Sequence, residues 1–307
     1  MRVLVTGGAG FIGRWVVRAL LSRGDSVTAL DDLSNGREEN VAEFQSQAFR
    51  LVRGDVAKAE EVASAFRDDF DLCLHLAAMI EVQKSIDNPA RAYQVNCTGT
   101  LNILEACRSR ATRVVLVGTC MVYDTAGSSA IAETHPVNPA SPYAATKLAA
   151  EYLGLSYRHA YGLPVTILRP FNVYGPHQKA NQEGGVVAVF ARRALDGKPI
   201  EVFGDGTQTR DLMYVEDCAE FILAAAGTPT AAGEILNAGT GRDIAINDLA
   251  RLVGGPSADI RHVKHPHPQS EVRRLRCDPS KAKRLLGWAP RTSLETGVAR
   301  LKEWMAG

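Results

Sequence analysis

The sequence predicts an α/β protein: a doubly wound parallel sheet of the Rossmann type, with a second, smaller α/β substrate lobe. Three observations predict it. Short β-branched runs alternate with helix-length amphipathic patterns through the amino-terminal half, as expected of repeated βα units feeding one parallel sheet. A glycine turn, Gly7-Gly8-Ala9-Gly10-Phe11-Ile12-Gly13, separates the first such run from the first helical pattern. The chain has 307 residues, and single cores stop growing at roughly 250 to 300 residues, so two lobes are expected.

Composition narrows the function classes. With 46% hydrophobic and 22% charged residues the chain is an ordinary globular protein. A net charge of +1 gives no bulk electrostatic reason to bind nucleic acid or a membrane surface. Gly, Asp or Arg interrupts every apolar run well short of the ~20 residues a spanning helix needs. The glycines that follow Met1 to Thr6 make the amino terminus a strand and turn rather than a leader. Cys73, Cys97, Cys107, Cys120, Cys218 and Cys277 show no CxxC or histidine-rich spacing. They read as reduced thiols of a cytoplasmic protein, with no metal site.

Arg2 to Thr6 is the first strand and Trp15 to Leu21 the amphipathic part of the first helix. Glycine between them lets the backbone turn tightly and approach a pyrophosphate, whose charge the helix N-terminus receives. The next run, Ser26 to Leu30, ends in Asp31, about 20 residues further on. A carboxylate there accepts hydrogen bonds from both ribose hydroxyls and repels a 2'-phosphate, which favours NAD over NADP. Phe49 to Val52 leads into Gly54-Asp55-Val56, where Asp55 either meets the adenine or caps a helix beginning near Ala57. Leu72 to Leu76 is a buried strand, and the residues at its end, Leu76, Ala77 and Ala78, leave room for a cofactor to lie flat. A long helix is expected from Tyr93 to Arg108, then a strand from Arg113 to Val117 that stops at Gly118-Thr119-Cys120-Met121.

Ser141-Pro142 ahead of an alanine-rich run signals a helix start and sets Tyr143 and Lys147 one turn apart on one face. An ammonium beside a phenol favours the phenolate; bringing a tyrosine from about 10 toward neutrality takes roughly 4 kcal/mol. The pair is a candidate general base for an alcohol. A strand from Pro164 to Leu168 follows, then helix Val187 to Leu195, strand Ile200 to Phe203, and closing helices Pro279 to Leu286 and Leu294 to Trp304. His75, His159 and His177 are lone imidazoles and read as structural groups. Asp205 and Asp211 read as braces for the loop around Arg210.

Nine segments in this order, TGGAGFIG at 6–13, DDLSNG at 31–36, GDV at 54–56, HLAA at 75–78, NCTGT at 96–100, YAATK at 143–147, RPFNVYGP at 169–176, GDGTQTRD at 204–211 and LGWAP at 286–290, resemble the extended short-chain dehydrogenase/reductase family of nucleotide-sugar epimerases and dehydratases. The resemblance implies an NAD-binding domain over 1–169 plus about 211–237 and a nucleotide-sugar lobe over about 170–210 plus 238–307. It implies that Gly7, Gly10, Phe11 and Ile12 line the pyrophosphate. Asp31 with Asp32, Leu33, Ser34, Asn35 and Gly36 would surround the adenosine ribose, Asp55 and Val56 the adenine, and Asn96 would join the cofactor set. Tyr143 and Lys147 would serve both the nicotinamide ribose and the sugar, and Asn172 and Arg210 would hold the diphosphate of a UDP-sugar. A homodimer through the helices near 98–108 and 143–160 is implied as well.

Two departures from the family pattern matter. A second phosphate arginine usually precedes the last helices, but here the segment reads His267-Pro268-Gln269-Ser270-Glu271; Arg273, Arg274 and Arg276 stand nearby. At the catalytic strand end, Thr119 is followed by Cys120 and Met121, where dehydratases of the family carry Asp-Glu and epimerases small residues. Thr119 would hydrogen-bond the sugar oxygen that Tyr143 deprotonates. A thioether cannot accept a proton at physiological pH, whereas a thiol with a stabilised thiolate can transfer one, with Lys147 or the cofactor ring as the stabilising cation. The Cys-Met pair resembles the enzymes of antibiotic biosynthesis that dehydrate UDP-N-acetylglucosamine across C5 and C6. Dehydratase is therefore the first expectation, UDP-sugar 4-epimerase the second, and a non-catalytic NAD sensor the third. Glu81, which follows the HLAA strand end, should border the sugar.

Overall fold

The structure, a computed structural model, describes all residues except 128, 181–184 and 266–267. By packing, the chain falls into two units, 1–119 with 142–169 and 219–236, and 120–141 with 170–218 and 237–307. The sequence boundary differs from this division at 120–141 and 211–218. The first stretch is woven into the second unit because the Tyr123 hydroxyl donates to Asn237 Oδ1 at 2.7 Å and Ile131 N–H donates to the Arg276 carbonyl at 2.7 Å.

The first unit is built on strands β1 (Arg2–Thr6), β2 (Ser26–Asp31), β3 (Phe49–Arg53), β4 (Leu72–His75), β5 (Arg113–Val117) and β6 (Val165–Pro170). With β10 (Ile235–Ala238) they form a seven-stranded sheet in the order β10-β6-β5-β4-β1-β2-β3. Val3, Leu4, Val5, Leu72, Cys73 and Leu74 are all buried; a parallel strand covered on both faces carries such continuous apolar runs. Helices α1 (Phe11–Ser22), α2 (Ala59–Ala65), α3 (Val82–Asp87), α4 (Pro89–Tyr93), α5 (Gly99–Ser109) and α6 (Pro142–Tyr161) connect them. The expected continuous helix from Tyr93 is interrupted by a π turn over Gln94–Thr98. The order reverses between β1 and β4, where a doubly wound sheet opens its ligand crevice at the carboxyl edge.

The second unit holds β7 (Asn172–Tyr174), α7 (Val186–Leu195), β8 (Ile200–Phe203), β9 (Thr209–Tyr214), β11 (Asp243–Ala245), α9 (Ile246–Gly254), β12 (Ile260–Val263), β13 (Arg274–Leu275), α10 (Ser280–Leu286) and α11 (Leu294–Ala306); α8 (Val215–Gly227) counts with the second unit up to Cys218 and with the first beyond it. Its core is Tyr174, Phe190, Leu212, Leu249 and Leu301. Strand β9 is its axis, pairing with β7, β11 and β13.

Candidate active site

The glycine turn is required by packing. Gly7 has φ +71°, and a Cβ there would stand 2.8 Å from the Ala77 nitrogen; one on Gly13 would overlap the Gly7 carbonyl. Asp31 is buried, its carboxylate accepting Ala9 N–H at 3.0 Å and Leu33 N–H at 2.9 Å. Burial raises its pKa, against the pull of those two N–H groups. A Cβ on Gly36 would stand 2.8 Å from the same carboxylate. Asp55 Oδ1 accepts Ala57 N–H at 2.9 Å as a turn brace, while Oδ2 takes Arg91 at 2.8 Å. Asp32, Arg53, Gly54, Asp55, Lys58 and Glu61 line a cleft of about 440 Å³ beside these strand ends. A hollow of about 520 Å³ lined by Arg113, Arg158 and Pro164 lies at the opposite, amino-terminal edge of the sheet, away from this chemistry.

His75 is structural: its Nδ1 lies 2.6 Å from Thr6 Oγ1 and its Nε2 3.1 Å from Thr100 Oγ1. Burial, with the charge of Lys147, pushes its pKa down to about 3, so it stays neutral. Asn96, on the π turn, accepts Met79 N–H at 2.8 Å and donates to the Met79 carbonyl at 3.2 Å and to Thr146 Oγ1 at 3.0 Å. Its amide shapes the segment after β4 and ties it to α6.

Tyr143 and Lys147 are both buried on α6. Ser85 Oγ accepts the Tyr143 N–H at 3.0 Å, seating the helix start on α3, and Lys147 Nζ donates to the Val117 carbonyl at 2.7 Å. Burial lowers the Lys147 pKa to about 8, with Glu151 and Cys97 opposing the fall. One turn on, Glu151 is buried and gripped by Arg169, whose Nε lies 3.0 and 3.2 Å from its oxygens and whose Nη2 lies at 2.6 Å. Sequence reasoning missed this pair, although Glu151 repeats the four-residue step that links Tyr143 to Lys147. It also missed Gly118, where a Cβ would overlap Glu151 Oε1 and stand 3.0 Å from the Leu168 carbonyl. Gly118→Ala is accordingly expected to destabilise the fold by about 1–3 kcal/mol and to lower turnover; a thermal melt with a parallel rate assay checks both.

In the second unit, Asn172 pairs in register with Leu212, two residues along β9 from Arg210. Strand alternation therefore sends Asn172 and Arg210 to the same face. Asn172 Oδ1 is buried and has no hydrogen-bond partner, a cost a ligand N–H or hydroxyl would remove. Arg210 pairs with Glu271, and its Nη1 donates to the Thr209 and Val272 carbonyls at 2.7 and 2.8 Å. Arg274 leaves β13 on the opposite face, 3.1 Å from Asp243, and Arg273 is solvent-exposed beside Asp205; neither is brought to Arg210. His267, in the segment lacking the family arginine, lies outside the described residues. Asp211 is the brace, accepting N–H bonds from Thr240, Gly241 and Cys277.

Cys120 corrects the expectation of a stabilised thiolate. It is buried, and desolvation pushes its pKa up to about 12, with Asp211 adding to the rise and Arg210 only moderating it. The group is a thiol at physiological pH, a proton donor rather than an acceptor. Met121 follows it on the same single 3-10 turn, Cys120–Val122. No cluster of three or more His, Cys, Asp or Glu side chains able to hold a metal occurs among the described residues.

A seven-stranded parallel sheet with a glycine cradle, a buried carboxylate at the end of β2 and a Tyr-Lys pair defines a dinucleotide-dependent enzyme of the short-chain dehydrogenase/reductase type. The chain belongs to the NAD dependent epimerase/dehydratase family, whose model matches residues 3–239. It is 39% identical over 308 residues to UDP-glucose 4-epimerase of Mycolicibacterium smegmatis, covering 99% of this chain and 98% of that one. It is similar to the X-ray structure of Pal from Bacillus thuringiensis, with 50% identity, a TM-score of 0.97 and coverage of 100% and 99%. The crystal structure of the dTDP-glucose 4,6-dehydratase DesIV from Streptomyces venezuelae, with NAD bound, matches at 32% identity and TM-score 0.92, covering 100% and 97%. The protein is thus an NAD-dependent nucleotide-sugar enzyme, in a family where epimerases and dehydratases share one scaffold.

Proposed function

We propose that the protein is a UDP-N-acetylglucosamine 5,6-dehydratase. The observation that carries this is Cys120, a buried thiol directly after Thr119 and followed by Met121 where the family's dehydratases carry carboxylates. Gly7, Gly10, Phe11 and Ile12 would hold the pyrophosphate of NAD, Asp31 to Gly36 the ribose, and Asp55 with Val56 the adenine. Tyr143 and Lys147 would meet the nicotinamide ribose and the sugar, and Asn172 and Arg210 the substrate diphosphate, the arginine because its planar fork suits phosphate oxygens. When bound, NAD supplies a hydride acceptor for C4 and the donor that restores it.

The chain's own residues then move protons. Tyr143 takes the proton of the 4-hydroxyl while Thr119 donates to that oxygen. The C4 carbonyl acidifies the C5 hydrogen, which passes to the Glu81 carboxylate. The C6–O bond breaks as Cys120 Sγ gives its proton to the departing hydroxyl, so that water leaves and a C5–C6 double bond forms. Tyr143 returns its proton to O4, Glu81 releases its proton to water and the Cys120 thiolate takes one from water, leaving sugar dehydration as the net change.

The exposed Tyr93, Leu101, Tyr152 and Tyr161 on α4, α5 and α6 support a homodimer through these helices. Six free cysteines, and the lack among the described residues of a helix long and apolar enough to cross a membrane, support a cytoplasmic enzyme, in an antibiotic pathway by its Cys-Met pair. Incubation with UDP-N-acetylglucosamine and mass spectrometry of the product is the test. A product lighter by one water, with NAD unconsumed, is expected; an isomer of equal mass would make the enzyme a 4-epimerase instead.

A further inference from the structure

We propose that Glu151 is a positioning residue: clamped by Arg169, its carboxylate holds the Lys147 ammonium charged and seated against the end of β5. The inference rests on the assignment of Tyr143 and Lys147 as the proton-transfer pair. Three features of the first unit carry it. Lys147, Glu151 and Arg169 are 6%, 2% and 3% exposed, so their charges act on one another with little screening by water. Glu151 lies one helical turn beyond Lys147, and three Arg169 contacts between 2.6 and 3.2 Å fix its carboxylate. The same carboxylate abuts Gly118, whose N–H donates to the Leu168 carbonyl at 2.6 Å, while the preceding Val117 carbonyl takes Lys147 Nζ at 2.7 Å. The clamp thus underlies both members of the proposed machinery that approach one sugar oxygen: Lys147 with Tyr143 on α6, and Thr119 at the strand end.

The remaining groups that face Lys147 do not replace it. His75 on β4 is neutral, and the Cys97 thiol on the π turn is made less acidic by burial. Tyr143 on its own helix is the group to be acidified, and Arg169 bears a like charge that Glu151 neutralises. Without Glu151, Lys147 loses its nearby anion and faces Arg169 unshielded, so its proton is lost at lower pH.

The test uses the NAD-bound enzyme. In Glu151→Gln the alkaline limb of the pH–kcat profile is expected to move down by about one pH unit, together with the 15N NMR titration of Lys147 Nζ. Glu151→Asp, which keeps a carboxylate, is expected to hold both near the wild-type position. Should Glu151→Gln fail to fold, Glu151→Leu combined with Arg169→Leu removes both charges without stranding one, and a downward shift in the same direction, smaller because the Arg169 charge is gone too, is expected. A folded variant lacking the carboxylate whose Lys147 titrates as in wild type overturns the proposal. Normal turnover by Tyr143→Phe would instead overturn the underlying assignment, whatever Lys147 does.

Discussion

Tyr143→Phe is expected to lower turnover of the sugar nucleotide by about 10²- to 10⁴-fold, the range a positioned proton-transfer group supplies. The substitution removes one hydroxyl oxygen from a buried ring and leaves the helix start intact, since the Ser85 contact is made by the backbone N–H. Bound NAD, read from the absorbance of the purified protein, is therefore expected to fall far less than kcat, since the variant loses one ribose contact and keeps the glycine cradle, Asp31 and Lys147. Retention of kcat within about tenfold would remove Tyr143 from the chemistry. The pH profile gives an independent check with a defined sign. Lys147 is charged below its pKa of about 8 and neutral above it, and a neutral amine no longer stabilises a phenolate. Turnover is expected to fall as pH rises through about 8. Cys120, protonated until about 12, contributes nothing to that limb, so a cysteine variant should keep it.

Much of the first unit was legible because its signals are local. The apolar runs ending at Thr6, Asp31 and His75, and glycines where a Cβ would overlap backbone, force a strand and turn whatever the rest of the chain does. The π turn at 94–98 was not legible, since one extra residue per turn leaves the apolar pattern almost unchanged. The turn carries Asn96, whose amide is spent on Met79 and Thr146. The second unit was harder still. Residues 120–141 fold on themselves through the single bridge of Tyr123 with Val137 and join the rest of the unit through that of Ile131 with Cys277, contacts between residues whose sequence neighbours carry no periodic signal.

The site divides along the same line. Tyr143 and Lys147 were readable because helical spacing alone puts them on one face. The Glu151–Arg169 clamp joins a helix to a strand across 18 residues, and no local pattern requires it. The protonation of Cys120 was misjudged for a related reason: the sequence supplies candidate cations, but acidity depends on burial, which only the packed fold sets. Burial wins here although Arg210 is close enough to oppose it.

That protonation state makes Cys120→Ala the most discriminating substitution. Loss of the thiol leaves no donor for the departing C6 hydroxyl, and a hydroxide leaving unprotonated is expected to slow elimination by about 10²- to 10⁴-fold. Proton removal at C5 relies on Glu81 in the proposed mechanism and on a carbonyl formed with Tyr143, neither of which the alanine touches. In D₂O the variant is therefore expected to return unreacted UDP-N-acetylglucosamine carrying deuterium at C5 while releasing almost no unsaturated product. Cys120→Ser should fall between wild type and alanine, because an aliphatic hydroxyl is a weaker acid than even a buried thiol. If the alanine variant instead eliminates water at the wild-type rate, Cys120 serves only to fill space and the proton must come from another group. If it neither exchanges at C5 nor eliminates, the thiol is also needed for C5 deprotonation, and Glu81 loses the role given to it.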